Sequence, residues 1–425
     1  MNVEAPPRTT TSELPRSSIL ICIGFTAAVL WGLIAWCNAM GFSDGADFVS
    51  FYTAGRIVRD GAASQLYDTG LQLEYQQKIF ARANLLPYYH PSFETILFVP
   101  LAFLSYSRAY VVWAGLNVVM MMLLPFLLRP FITAPRNFLG VALLCFLFLP
   151  LWIALLQGQD SILLLLLFTL SFRALMRNRP VTAGLLIGVA MFKFQFALPL
   201  LVVLLGLRSV RLIAGAIVGG LTAVMASFAV TGIDGQIAFV RLLLSTNKTL
   251  AWATIEPSIM PNVRGFLTTL LSAAMTAESV RMLVTVASVG IVLLATVVVF
   301  VSASRKGSSV PTQFSLAALA MVMVSYHLNP HDLSLLLLPL LLAGQAISVS
   351  HEPLSLRIPL AATVLTLYSP VTLLVLMQHS SLNFAFVPIA FLAVLLAIGI
   401  VLTERVQNEA ATDARMAVAP GGLEP

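Results

Sequence analysis

Long apolar runs alternate with short polar segments along most of this chain. The runs lie at about 18–38, 92–104, 108–128, 137–156, 161–176, 181–207, 210–230, 282–301, 313–328, 333–348, 358–377 and 383–402. A helix needs roughly 17–25 apolar residues to cross the hydrocarbon of a bilayer. The pattern therefore predicts an all-α, polytopic integral membrane protein with about eleven transmembrane helices.

The composition supports this class of protein. Of 425 residues, 59% are hydrophobic and 10% are charged, whereas a soluble domain carries about 25% charged residues. The net charge of +6 is not gathered in one basic stripe, because Arg and Lys lie in short clusters between the apolar runs. This arrangement excludes nucleic acid as a partner and is typical of cytoplasmic loops, which are rich in these residues.

The basic clusters also predict a topology. With all of them in the cytoplasm, the connections 41–91, 157–160, 231–281, 327–332 and 378–382 face outside. We expect disordered cytoplasmic tails at 1–16 and 406–425 and one membrane domain at 17–405. We expect its first outer loop at 41–91 and its second at 231–281. The protein would be a multi-pass protein of the cytoplasmic (inner) membrane, with a site that faces the periplasm or exterior.

Two apolar runs leave alternatives open. The run 92–104 is short and contains Pro100, which favours a re-entrant segment over a short tilted span. The run 181–207 has basic residues at both ends and Lys193 in its middle. It is predicted as a hairpin of two half-helices with Lys193 at the tip, and one long tilted helix is the alternative.

The predicted outward segments hold most of the unusual polar residues. Asp44 and Asp47 follow the first apolar run, and two stretches, 47–60 and 71–83, are predicted as helices that lie flat on the membrane. Among the other outward polar residues are Asp332 and His379, and also candidate site residues, namely His90, Gln157, Gln159, Asp160, His327 and His331.

An ordered series of motifs resembles a known family. It comprises Asp47-Phe48, Phe51-Tyr52, Ala54, Gly61, Tyr67-Asp68, Tyr89-His90-Pro91, Phe98-Val99-Pro100-Leu101, Trp113, Asn117, Gly158-Gln159-Asp160, Gly184 to Lys193, and Ser325 to His331. The series resembles glycosyltransferase family 87, of the multi-spanning glycosyltransferase C superfamily, over most of 15–345. The chain departs from the family pattern at His90, at Asp160 and after Lys193.

The resemblance implies a polyprenyl-phosphate sugar as donor and Asp47 as the catalytic base. Inverting transfer needs one carboxylate to deprotonate the acceptor hydroxyl, and the lipid phosphate leaves without a general acid. The alternative for Asp47 is a cap of the helix that begins at Phe48. Asp44 is a second catalytic candidate and is otherwise a turn residue beside Gly45.

The remaining candidates are substrate-binding residues. Lys193 and Arg56 could hold the donor phosphate, although Arg56 could equally contact lipid headgroups. Tyr52 is a candidate for the sugar or an interfacial anchor. Candidates for sugar or phosphate contacts are His90, Gln157, Gln159, Asp160, His327 and His331, and Arg264 is a candidate second phosphate contact. His327 and His331 have a spacing that two metal ligands could use, but no metal is assigned and a divalent ion stays open.

These observations predict a membrane enzyme without a cofactor. It would move a sugar to a lipid-linked or envelope glycan acceptor, and the family resemblance favours mannose as that sugar. Membrane lipids are its other expected partners. The alternative is a transporter or flippase of lipid-linked sugars. Such a protein would need acidic residues deep in its helices, and among the carboxylates Glu94 is the notable exception to a location in loops.

Overall fold

A computed structural model describes residues 47–132, 135, 137–245, 256–304, 309–349 and 354–400. These residues form helices and connecting segments without a strand, which confirms the all-α prediction. The helices are α1 Phe48–Arg59, α2 Thr69–Gln77, α3 Thr95–Phe98, α4 Tyr106–Leu128, α5 Phe138–Phe146, α6 Leu149–Gln157, α7 Ser161–Met176, α8 Pro180–Val189, α9 Phe194–Leu204, α10 Val210–Ser245, α11 Val263–Leu271, α12 Ala277–Ala303, α13 Val310–Val324, α14 Leu337–Val349, α15 Leu354–Tyr368 and α16 Pro370–Gln378, followed by the run Leu382–Ile400.

Within this part of the chain, five helical runs are long and apolar enough to cross a membrane. They are Tyr106–Phe131, Pro180–Leu207, Val210–Leu244, Ala277–Ala303 and Leu382–Ile400. Two helix pairs, α5 with α6 and α15 with α16, are bent by 61° and 59° and would raise the number to seven. The predicted number of about eleven is therefore not confirmed. The run 18–38 lies outside the described residues, and α7 and α13 have only 16 and 15 residues.

Helix α13 lies at the centre of the protein, since every residue from Gln313 to Met323 is buried. Helices α8 and α10 meet through glycines. A side-chain carbon at Gly188 would lie 2.6 Å from the backbone of α10, so only glycine allows this close approach. Helix α10 bends at Gly232, where φ is +67°. The packed helices leave the connections at one end of α13 close to one another.

The first outer loop folds onto the helices. Helices α1 and α2 form within the two stretches predicted as helical, but α1 is buried in the protein and does not lie on its surface. Phe51 stacks on Phe98 with ring centroids 4.9 Å apart, so the segment after residue 91 covers this helix. The burial of α1 makes it a support for the residues at its two ends.

The structure also describes the runs 92–104 and 181–207, for each of which the sequence leaves two alternatives. The run 92–104 is broken into the turn Ser92–Glu94, the four-residue α3 and the turn Leu101–Phe103, so it is not one continuous spanning helix. The hairpin predicted for 181–207 is wrong, because Pro180–Leu207 is one run with a 3-10 turn at Ala190–Lys193. Lys193 needs no exposed tip, because carboxylates inside the protein neutralise its charge.

Candidate functional site

A buried lysine stands at the centre of the candidate site. Lys193 is 2% exposed, and its Nζ lies 2.6 Å from Asp160 Oδ1 and 2.9 Å from Asp332 Oδ1. The same ammonium donates to Ser161 Oγ at 2.8 Å. The ammonium hydrogen-bonds to Ser161 and Asp332 and is ion-paired with Asp160, so protein oxygens surround it in this conformation. The predicted contact of Lys193 with a donor phosphate would require one of these oxygens to give way.

The first outer loop supplies the second part of the site. His90 Nδ1 lies 2.8 Å from Glu94 Oε2 and 3.4 Å from Asp160 Oδ2. Asp160 thus links His90 to Lys193. We refer to the connected side chains of Asp47, His90, Glu94, Gln157, Gln159, Asp160, Ser161, Lys193, His331 and Asp332 as the polar network.

Asp47 closes the polar network at its more exposed side. Gln159 Nε2 donates to Asp47 Oδ2 at 2.6 Å, and His331 Nδ1 lies 3.7 Å from the same oxygen. His331 Nδ1 also lies 2.6 Å from Gln157 Oε1. The side chain of Asp47 is 29% exposed, whereas those of Lys193, Asp160 and Asp332 are buried. Asp47 stands at the N-terminus of α1, but its side chain makes no capping hydrogen bond, so the capping alternative is not formed.

Backbone conformation brings these side chains together. Gly158 ends α6 with φ +64°, and a side-chain carbon there would lie 2.7 Å from Phe48 Cβ. Glycine therefore lets Gln159 approach Asp47, the neighbour of Phe48. On the other side, Asn329 and Asp332 form a capping box at the start of the 3-10 turn Pro330–Leu336. This turn holds Asp332 next to Lys193.

The charges of the polar network influence one another. Burial disfavours the protonated form of His90, but the Glu94 and Asp160 carboxylates outweigh burial and raise the pKa of His90 to about 10. His327 lies outside these contacts. Its burial and the nearby positive charge of Arg264 lower the pKa of His327 to about 4. At neutral pH, His90 is therefore a cation and His327 is a neutral hydrogen-bonding group.

His90, Glu94 and Asp160 also form a possible metal-binding group, since one ligand atom of each lies within 4.8 Å of the others. A proton on His90 Nδ1 explains the same short contacts without a metal. Lys193 is in direct contact with Asp160 and would repel a divalent ion there. Proton sharing and ion pairing are the simpler explanation of this cluster.

Several predicted site residues lie apart from the polar network. The Tyr52 hydroxyl donates to the Leu104 carbonyl at 2.7 Å. The Arg56 guanidinium lies 5.8 Å from the centre of the Tyr75 ring. Arg264 stacks on Tyr326, and His327 lies 6.0 Å from the ring of Tyr89. The binding roles of these residues stay predictions.

Asp44 lies outside the described residues. Three members of the polar network, Glu94, Ser161 and Asp332, were not among the candidates for the site. The sequence carries a signal for two of them, since Ser161 directly follows Asp160, and Asp332 stands three residues after Asn329 in a capping-box spacing. Glu94 was notable only as a carboxylate outside the loops.

The apolar helices and the buried charges define a multi-pass membrane protein with a polar site inside its helical part. Residues 88–326 match glycosyltransferase family 87. The match covers more than half of the chain, which therefore belongs to that family and is a membrane glycosyltransferase. No curated protein and no solved structure matches it. The matched segment contains Gln159, Asp160 and Lys193, but neither Asp47 nor His331.

Proposed function

We propose that the protein is an inverting glycosyltransferase that uses Asp47 as its general base. Its donor would be a polyprenyl-phosphate sugar, with mannose as the sugar. Its acceptor would be a lipid-linked or envelope glycan at the outer face of the cytoplasmic membrane. The observation that carries the proposal is the position of Asp47, the partly exposed carboxylate of an otherwise buried polar network.

The reaction assigns one task to this carboxylate. The acceptor oxygen attacks the anomeric carbon, and its proton passes to Asp47. The bond between that carbon and the phosphate oxygen breaks, and its electron pair leaves with the lipid phosphate. One base is sufficient, because the phosphate is a good leaving group. The hydrogen bond from Gln159 holds Asp47 Oδ2 in place. Within the described residues, Oδ1 accepts no hydrogen bond, which leaves it to face the acceptor.

The other carboxylates are poorer candidates for the base. Asp160 and Asp332 are ion-paired with Lys193, and Glu94 is buried against His90. A base must reach the proton that it removes, and these three side chains do not reach solvent. They would fix the shape and charge of the site from behind.

The test is a reconstituted assay with radiolabelled polyprenyl-phosphate mannose and a glycolipid acceptor. We expect Asp47→Asn to reduce kcat by about 10²- to 10⁴-fold, the usual contribution of a general base. Asp68→Asn is the matched control, since Asp68 caps α2 in the same loop and asparagine caps helices equally well. Equal turnover by wild type and Asp47→Asn would reject Asp47 as the base.

One observation favours a second function. The buried charges of Glu94, Asp160, Lys193 and Asp332 resemble the intramembrane groups by which transporters move substrates. A flippase of lipid-linked sugars would translocate a fluorescent polyprenyl-phosphate sugar across a liposome bilayer without transferring it. Translocation without any transfer product would support this alternative over the enzyme.

A further inference from the structure

A groove beside the candidate site carries positive charge without a matching acid. It has a volume of about 490 Å³ and lies among α11, α12 and the end of α13. Arg264 and Arg281 both line it, and no carboxylate is among the lining residues that the structure describes. Neither arginine forms an ion pair within the described residues. We refer to this space as the arginine groove.

The walls of the arginine groove suit an apolar chain. Val280, Val284 and Val289 of α12 line it, together with Met275 and Val324. Helix α12 is one of the runs long enough to cross a membrane, and only 11% of its most apolar window is buried inside the protein. Helix α12 therefore exposes most of its apolar surface to lipid, and Arg281 lies near the start of this helix. A ligand with an anionic head and a hydrocarbon tail matches both features.

The guanidinium of Arg264 is held in a fixed position. Its carbon Cζ lies 4.1 Å from the centre of the Tyr326 ring, and Nη1 donates to the Tyr326 carbonyl at 3.1 Å. These contacts leave other N–H groups of the guanidinium for a ligand, since arginine has five. Arg281 is exposed and more free to move. A fixed and a mobile guanidinium together can grip the oxygens of one phosphate.

The arginine groove is also connected to the polar network. Ser325 and Tyr326 line the groove, and the chain continues from them to His331 and Asp332. Asn262 Nδ2 donates to the Ser325 carbonyl at 2.7 Å, which fixes the start of α11 against this connection. Beyond Tyr326, the Nδ1 atom of His327 is buried and has no hydrogen-bond partner among the residues that the structure describes. The segment that leaves the groove after Tyr326 thus carries polar groups that a sugar could contact.

From this geometry we infer that the arginine groove binds the phosphate and the first isoprene units of the polyprenyl-phosphate donor. The inference rests on the proposed function and deepens it by locating the leaving group. When the sugar leaves, a phosphodiester with one negative charge becomes a phosphomonoester with nearly two. Arg264 and Arg281 would stabilise this developing charge more than they stabilise the ground state. The arginines would therefore act on kcat as well as on donor binding.

The test measures binding and turnover separately on the full-length protein in nanodiscs. Binding is followed with a photoreactive polyprenyl monophosphate, which carries no sugar and needs no transfer. We expect Arg281→Gln and Arg264→Gln each to weaken its labelling about tenfold, the usual effect of losing one hydrogen bond to a charged group. Arg241→Gln is the matched control, because Arg241 is an exposed arginine of α10 outside the groove.

Competitors identify the ligand. Unlabelled polyprenyl monophosphate should displace the probe, whereas polyprenol, phosphatidylglycerol and inorganic phosphate should not at the same concentration. Equal displacement by phosphatidylglycerol would overturn the inference and assign the groove to bulk anionic lipid. Wild-type labelling in both arginine variants would also overturn it. Arg281→Gln guards against a folding defect in Arg264→Gln, since its side chain is exposed.

The two proposals can fail independently. Labelling that depends on the arginines, in a protein that transfers no sugar, would keep the groove and reject the enzyme. Transfer that proceeds with unchanged kcat and KM in both variants would keep the enzyme and reject the groove.

Discussion

The polar network and the arginine groove hold positive charge in opposite ways. In the network, Lys193 is buried and faces two carboxylates and a hydroxyl. In the groove, Arg264 and Arg281 face the same space without a carboxylate among its described lining residues. A buried cation whose charge is compensated within the protein holds structure together. A cation without such compensation at a cavity is available to an anionic ligand.

The largest expected effect is the loss of stability when Lys193, the cation with carboxylate partners, is removed. Lys193→Met leaves Asp160 and Asp332 buried without their cation, which should reduce the free energy of unfolding by about 3–5 kcal/mol. Thermal unfolding in detergent would measure it. Lys78→Met is the matched control, since Lys78 forms an exposed pair with Glu74 and exposed ion pairs contribute little to stability. Equal unfolding temperatures for the two variants would contradict the structural role of Lys193.

The sequence predicted most residues of the polar network, but it did not predict which of them contact one another. Asp160 and Lys193 are both predicted to bind substrate. In the structure they form an ion pair with each other, although they are 33 positions apart in the chain. Hydropathy and charge identify which segments cross or leave the membrane, but they do not specify which loops meet. The positive φ at Gly158 and the 3-10 turn at Lys193 decide those contacts. Both depend on tertiary packing.

The same limit explains the errors in the fold. The apolar pattern predicted helices correctly, but it could not separate a spanning helix from a short buried one. Helix α13 has 15 residues and is buried by protein along its central part, so its apolar sequence reflects the protein core. The basic residues at both ends of 181–207 and Lys193 in its middle predict a hairpin, because the sequence alone does not show what pairs with this lysine. Its partners come from two other connections.

A smaller effect concerns Asp47, the proposed base, at the more exposed side of the polar network. Gln159→Leu removes the hydrogen bond to Asp47 Oδ2, and we expect kcat to fall about tenfold while KM stays the same. The measurement is kcat and KM, each normalised to the amount of folded enzyme. A merely structural role would lower the amount of folded enzyme without lowering kcat per folded molecule.

Gln65→Leu provides the control, since Gln65 is an exposed residue of the first outer loop, which also contains Asp47. An unchanged kcat per folded molecule in Gln159→Leu would show that Gln159 does not orient the base.

The pH dependence of stability tests whether His90 is charged in the polar network. The folded pKa of His90 is about 10, above its ordinary value of 6.5. Protonated His90 therefore stabilises the folded protein fully below pH 6.5, and this stabilisation is lost as the pH rises through 10. We expect the unfolding temperature of wild type to fall across this range and that of His90→Gln to fall less. Parallel curves for the two proteins would indicate that His90 is not charged in the network.

The smallest expected effect is the change in stability when Arg281 of the arginine groove is replaced. Arg281 has an exposed side chain without an ion pair in the described structure, so Arg281→Gln should change the free energy of unfolding by less than about 0.5 kcal/mol. Thermal unfolding of empty protein would measure it. Adding polyprenyl monophosphate should stabilise wild type by mass action, and it should stabilise Arg281→Gln less at the same concentration. A loss of stability in the empty variant comparable to that of Lys193→Met would mean that Arg281 has an internal partner. The distinction between the two regions would then fail, because compensation inside the protein is what separates a structural cation from one that awaits a ligand.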